Sequence, residues 1–311
     1  MEVVRILSPL DLPKFEKNIS LTIGEFDGIH LAHQKLFNQT LNFAAKDNTL
    51  SVVLTFDPHP DQLLKENIIF ESIFSLDKKI KEIEKYNFDY LLIVNFTKEL
   101  STMPHQEFYQ KYLKPLRIKN LIVGFDFKYG YKGLGNYQTI KEEGIEKVIV
   151  TDEMIYNNQT ISSTLIKKLL NEGKIEEVNY LLGKKFKISG TVVYGKQIGS
   201  KIKVPTANIK LDNNYPTLKK GVYVVECLID DNKYAGIMNI GHNPSFNYNQ
   251  NRSYEVHIIE DGFNMNLYDK NIVVELIKFI RSEEVFENID AFKKQIELDK
   301  KEAILVLNNR L

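Results

Sequence analysis

The sequence predicts an α/β chain in two parts: a doubly wound, mostly parallel sheet over residues 1–183, then a small antiparallel β-barrel with a terminal helix over residues 184–311. Three observations carry this reading. In the first part, apolar runs of strand length alternate with helix-period runs, the pattern of a parallel sheet with helices on its faces. From Lys184 the helix periods give way to closely spaced strands and glycine turns, and closure is the usual way for such strands to lose their exposed edges. The chain, at 311 residues, is long enough for two domains that each bury a core.

The first part is expected to hold strands over 20–23, 51–56, 90–94, 120–125 and 147–150. A helix-period run through Leu36, Phe37, Leu41 and Ala44 follows the first strand, and further helices are expected over 75–86, 106–116 and 137–144. Hydroxyl residues at 162–164 open another helix, and a helical run from Ile175 to Leu182 ends at Gly183. In the second part strands are expected over 186–195, 221–229, 234–239, 254–259 and 272–280. A helix over 289–307, charged on one side, is expected to pack across the barrel.

Lys plus Arg and Asp plus Glu both number 41, so overall charge gives no argument for a nucleic acid or an anionic membrane as partner. The single cysteine, Cys227, falls in an apolar strand-like run, which excludes an intrachain disulfide and fits a reducing cytosol. Residues 1–10 carry no signal-peptide apolar region, and the longest apolar runs are of strand length. A soluble, cytoplasmic protein is expected; the sequence gives no signal of oligomeric state.

Chemistry concentrates at the ends of the predicted strands, where open parallel sheets bind ligands. In Gly24-Glu25-Phe26-Asp27-Gly28-Ile29-His30-Leu31-Ala32-His33 a strand turns into a helix. Gly24 and Gly28 allow close backbone approach, and the helix start favours an anion. His30 and His33 share a helix face and can reach one polyphosphate together; Asp27 could orient a nucleotide or a metal. A His-x-x-His pair alone is more often two satisfied histidines, and a third metal ligand is lacking nearby. Thr55-Phe56-Asp57-Pro58-His59-Pro60 is a turn forced by two prolines. The glycine-rich stretch from Val123 to Asn136 offers Phe127 and Tyr129 as stacking faces. Between the first barrel strands, Gly195 to Asn208 brings glycines, lysines and Pro205-Thr206-Ala207-Asn208, a pattern able to surround a triphosphate and Mg²⁺.

Taken in order, these stretches resemble the bacterial bifunctional riboflavin kinase/FAD synthetases over nearly the whole chain. The first resembles their Gly-x-Phe-Asp-Gly-x-His-x-Gly-His signature with Ala32 in place of a glycine. Gly124 to Gly130 resembles Gly-x-Asp-Phe-x-Phe-Gly, and Ile161 to Lys167 resembles Ile-Ser-Ser-Thr-x-Ile-Arg with lysine for arginine. In the barrel, Lys203-Val204 stands where the family usually has Gly-Phe. Asn239-Ile240-Gly241 with Pro244 and Phe246, and Glu255-Val256-His257, match further family elements.

The resemblance implies phosphorylation of riboflavin to FMN by the barrel, then adenylylation of FMN to FAD by the first domain, with ATP as co-substrate and Mg²⁺ as cofactor. By resemblance, Gly24, Phe26, Asp27 and Gly28 shape the ATP pocket, His30 and His33 stabilise phosphate charge, and Ser162, Ser163, Thr164 and Lys167 contact nucleotide phosphates. Pro58, His59, Asp126, Phe127 and Arg281 are expected at flavin. Gly195, Lys201, Pro205, Thr206 and Asn208 are expected at the kinase ATP, with Thr206 and Asn208 on the metal. Glu275, a carboxylate on a rigid strand, is the expected general base. The alternatives are a chain with one of the two activities, or an inactive flavin- or nucleotide-binding regulatory protein.

Overall fold

The computed structural model describes residues 1–65, 69–145, 147–194, 206–242, 252–260, 263 and 265–309. Of the expected site residues, Gly195, Lys201 and Pro205 lie outside the described residues, as do Lys203, Val204, Pro244 and Phe246. The chain divides into two compact units, Met1–Ser163 and Thr164–Leu311.

The first unit is built on a six-stranded parallel sheet in the order β1-β4-β3-β2-β5-β8. The strands are β1 (Glu2–Ile6), β2 (Ile19–Ile23), β3 (Leu50–Asp57), β4 (Tyr90–Asn95), β5 (Ile118–Gly124) and β8 (Lys147–Thr151). Two-residue strands β6 (Lys128–Tyr129) and β7 (Gly135–Asn136) pair with each other, and so do β9 (Ile155–Tyr156) and β10 (Gln159–Thr160). All five residues of β2 are buried, because β2 is central and covered on both faces. From β2 the chain winds through β3 to β4 on one side, then returns to β5 on the other. The crevice where that direction reverses lies between the carboxyl ends of β2 and β5.

Helices α1 (Leu31–Asp47), α2 (Pro60–Leu64), α3 (Leu76–Glu84), α4 (Lys98–Thr102), α5 (His105–Phe108) and α6 (Tyr137–Glu142) connect the strands. α1 buries Leu36, Phe37, Thr40 and Ala44, one helix face, and stops where Asn48 takes the left-handed conformation at φ 50°. The helix expected over 106–116 is divided: α5 passes into a wide turn over Tyr109–Leu113 and a tight turn at Lys114–Leu116. Pro115 explains this, since proline has no amide to donate and clashes with the preceding turn.

The second unit takes in α7 (Ser163–Glu172) from Thr164 onward and α8 (Ile175–Leu182). The barrel closes in the order β11-β12-β15-β14-β13-β16. Its strands are β11 (Phe186–Val193), β12 (Ala207–Leu211), β13 (Gly221–Ile229), β14 (Asn232–His242), β15 (Arg252–Ile258) and β16 (Asn271–Arg281). β11 alternates buried and half-buried residues along its whole length, the signature of one face in a core. Gly190 is required there: a Cβ would sit 2.2 Å from the Lys210 carbonyl oxygen. The helix α9 (Ile289–Asn308) lays Ile296 and Ala303 on Val222, Val224 and Ile237. Asn179 of α8 ties that helix to the barrel, donating to the Leu276 carbonyl at 2.9 Å and accepting from the Phe186 amide at 2.7 Å.

Candidate functional site

The carboxyl ends of β2 and β5 open on a cavity of about 690 Å³ within the first unit. Its floor is the loop after β2, where Phe26, Gly28 and Ile29 all have positive φ, at 50°, 82° and 46°. Two non-glycine residues in that region store strain, so the surroundings must over-determine the loop. They do: Asp27 Oδ1 accepts from the backbone amides of Ile73 at 2.9 Å and Phe74 at 3.1 Å, and Ser163 Oγ donates to the Asp27 carbonyl at 2.8 Å. Phe26 is buried edge-to-face on Phe37, ring centroids 4.9 Å apart. Gly28 touches Ile73 so closely that a Cβ would lie 3.0 Å from it.

This loop delivers His30 to the N-cap of α1, where its side chain makes no capping hydrogen bond. The His30 imidazole stacks on His33, centroids 3.6 Å apart and planes within 20°. Both rings line the cavity, and the Nδ1 of each is buried with no hydrogen-bond partner among the described residues. Burial pushes His30 down to about 4; burial, then the neighbouring His30 and Lys79, push His33 well below its ordinary value. The pair is therefore neutral at pH 7. Buried polar atoms without partners beside a helix start are what an incoming phosphate would satisfy.

Of the residues expected at flavin, Asp126 and Phe127 line the same cavity, whereas Pro58 and His59 are not among its lining residues and Arg281 belongs to the second unit. Phe127 and Asp126, with Phe125, come from the β5–β6 loop, and Phe127 stacks on Tyr129 at 5.5 Å. Gly130 and Gly135 press on His105, where a Cβ would come within 2.6 Å, so this glycine-rich loop is docked there. Pro58 follows a cis peptide bond after β3, and His59 stacks on Phe70 at 4.4 Å. His59 Nδ1 accepts from the Asp61 amide at 3.1 Å, which leaves the proton on Nε2, 3.9 Å from Glu25 Oε2. Ser162 and Ser163 also line the cavity. Gly24, Phe26, His30, His33, Asp126, Phe127, Ser162 and Ser163 are thus brought together, while Asp27 braces the loop from behind. Thr164 and Lys167 belong to α7 and to the second unit.

In the barrel, Thr206 stands just before β12 and Asn208 is the second residue of that strand. Asn208 pairs with Glu255 of β15, which pairs with Asn239 of β14. Opposite residues in neighbouring strands share a face, so the three form a polar row, half-buried, on the face opposite the apolar row Ala207, Val256 and Met238. Glu275 is not in this row: through β11 it is level with Lys187, whereas Asn208 is level with Val193. The Glu275 carboxylate is instead surrounded by Lys187, Lys185 at 3.4 Å and Lys233 at 3.6 Å. Its burial opposes ionisation, but the three lysines prevail and hold it below the usual carboxylate range. Arg281 is held by Asp299, Nε to Oδ1 at 2.9 Å and Nη2 to Oδ2 at 2.7 Å, and so ties β16 to α9.

Two family models match the chain: FAD synthetase over residues 12–165 and riboflavin kinase over residues 182–307. A bifunctional riboflavin kinase/FMN adenylyltransferase of Buchnera aphidicola from Schizaphis graminum is 40% identical over 297 residues, 93% of this chain and 94% of the relative. The protein of that description from Bacillus subtilis is 33% identical over 99% of both chains, and that from Escherichia coli K12 is 33% identical over 90% of both. This chain belongs to the bifunctional riboflavin kinase/FMN adenylyltransferase family. A crystal structure described as a macrolide-efflux protein from Streptococcus pneumoniae has the same fold, with a TM-score of 0.88 and 27% identity over 97% of this chain and 98% of that one.

Within a riboflavin kinase/FMN adenylyltransferase, the departures from the family pattern take on positions. Ala32 lies in the first turn of α1 and lines the cavity without interrupting the helix. Sequence reasoning passed over Glu255 and Asn239 as site residues although both fell in quoted motifs. Only strand register shows that they neighbour Asn208. It also passed over Lys79, a buried lysine that donates to the Glu25 carbonyl at 2.6 Å. No periodicity marks that residue, since it looks like one more lysine of an amphipathic helix.

Proposed function

We propose that the chain makes FAD from riboflavin in two steps, each in its own domain: riboflavin kinase in residues 184–311 and FMN adenylyltransferase in residues 1–183. ATP serves as co-substrate in both. In the first step the riboflavin 5′-hydroxyl oxygen bonds to the γ-phosphorus of ATP, the bond to the β-bridging oxygen breaks, and ADP leaves. The hydroxyl proton needs an acceptor beside the phosphates. Glu255 is the carboxylate we assign to that role, because it pairs directly with Asn208 whereas Glu275 pairs with Lys187 and Glu226.

Thr206 and Asn208 offer a hydroxyl and an amide oxygen, donors that suit Mg²⁺. An ion held by these two residues completes its shell with phosphates and water. Bound there, Mg²⁺ would neutralise charge on the phosphates. The chain's own residues position the hydroxyl and accept its proton.

In the second step an FMN phosphate oxygen bonds to the α-phosphorus of another ATP, and the bond to pyrophosphate breaks. No proton has to be removed from the nucleophile. What the site must supply is alignment and donors for the charge that grows on the leaving pyrophosphate. Neutral His30 and His33 and the start of α1 are such donors, and Phe127 with the β5–β6 loop supplies a face for the flavin ring. The observation that carries this reading is the stacked, buried histidine pair opening on a cavity at the sheet's reversal point. We place the protein in the cytoplasm, with its one thiol, Cys227, buried in the barrel; no described helix is long and apolar enough to cross a membrane.

Incubating the purified protein with riboflavin, ATP and Mg²⁺ and separating the flavins over time tests this. FMN should appear first and FAD after it. FMN alone would restrict the chain to the kinase step, and no product would leave a flavin- or nucleotide-binding protein.

A further inference from the structure

Glu25 is the residue of the β2 loop that the two-step reading leaves without a task. It lines the cavity together with Phe26, His30 and His33. Its Oε2 is buried with no hydrogen-bond partner among the described residues, and the nearest cation candidate, His59 Nε2, stands off at 3.9 Å. The lysine that could hold it ionised is engaged elsewhere: Lys79 of α3 donates to the Glu25 backbone carbonyl at 2.6 Å and to Thr55 Oγ1 at 3.5 Å. The other charged groups facing it are Asp61 of α2 and Asp27 of its own loop, both of which oppose a second negative charge. An ionised carboxylate here would also repel the two phosphate-bearing substrates that the cavity has to admit.

We propose that Glu25 works in adenylyl transfer as a neutral acid, donating a hydrogen bond from its carboxyl group to a phosphoryl oxygen of a substrate. A carboxylic acid has one O–H to give, whereas the carboxylate only accepts. Burial, outweighing Lys79 and helped by Asp61 and Asp27, pushes the group up to about 8, so the donor is present at neutral pH and lost above it. The phosphoryl oxygen can belong to ATP or to FMN, and the two are separable by experiment. This inference rests on the adenylyltransferase reading of the first domain.

The test is the pH dependence of kcat/KM for FAD formation from supplied FMN and ATP, in wild type, Glu25→Gln and Glu25→Leu. Wild type should lose about tenfold between pH 7 and pH 9 along a one-proton limb. Glu25→Gln, a donor that does not titrate, should lose that limb. Glu25→Leu should fall at least tenfold at pH 7. A raised KM for ATP assigns the hydrogen bond to the nucleotide and a raised KM for FMN assigns it to the flavin phosphate. An unchanged limb in Glu25→Gln would give the titration to another group, with Lys79 the first candidate, and would overturn the proposal. So would a Glu25→Leu enzyme as fast as wild type; if that variant does not fold, the Gln profile decides alone. A wild type that makes no FAD from FMN would instead overturn the adenylyltransferase reading itself.

Discussion

His30 and His33 show how burial sets chemistry residue by residue. With its ordinary value near 6.5 in the unfolded chain and about 4 in the folded one, His30 binds more protons unfolded between those limits. Stability is therefore lost as pH falls from 6.5 towards 4, by roughly 3 kcal/mol over the full window at 1.36 kcal/mol per unit. Denaturant unfolding at pH 7 and pH 4.5 should show that loss in wild type and a smaller one in His30→Gln; equal losses would contradict the burial argument. The histidines were legible in the sequence because a strand, a glycine turn and a helix start lie around them. The carboxylate proposed for the barrel was not: Glu255 and Glu275 both sit on alternating strands, and only the register of β12 with β15 puts Glu255 beside Asn208. Glu275→Gln should accordingly keep riboflavin phosphorylation within a few-fold of wild type while lowering stability, since it leaves three lysines with a weaker partner. Abolished FMN formation in a folded Glu275→Gln protein would restore it as the base.

At the scale of elements, the β2–α1 loop is held by a few contacts that oppose its strain. Asp27→Ala removes the acceptor of two buried amides, Ile73 and Phe74. It should destabilise the first unit by about 2 kcal/mol, and adenylyl transfer should fall with the loop's order. A melting curve and an FMN-to-FAD rate check both, and a variant as stable as wild type would show that the loop is fixed by something else. On α9, Asp299 is 2% exposed and clamps Arg281 of β16, so Asp299→Ala leaves a guanidinium without its carboxylate. A loss of roughly 3–5 kcal/mol is expected, seen in unfolding of the second unit. Most of the longer strands are legible from apolar runs, yet β1 and β12 are not, nor are the two-residue strands β6, β7, β9 and β10. β1 is an edge strand of five residues, three of them exposed, so its pattern lacks the buried run that marks β2. β12 was taken as part of the preceding loop, because Pro205-Thr206-Ala207-Asn208 has turn composition and its pairing with β11 and β15 is long-range.

Across the whole molecule, the change of texture at Lys184 was legible because a parallel sheet and a small barrel demand different periodicities. What composition could not show is that α7 and α8 pack with the barrel unit, since helices are marked by their own apolar face and not by what they cover. Two sites that act in sequence, as proposed, can be separated by mutation. His30→Ala and Glu255→Gln would each be assayed for riboflavin to FMN and, separately, for FMN to FAD. The account predicts that His30→Ala loses 10²–10³-fold in FAD formation and still makes FMN. Glu255→Gln should fail to make FMN and still convert supplied FMN to FAD. Loss of both activities in either folded variant would contradict the two-site account.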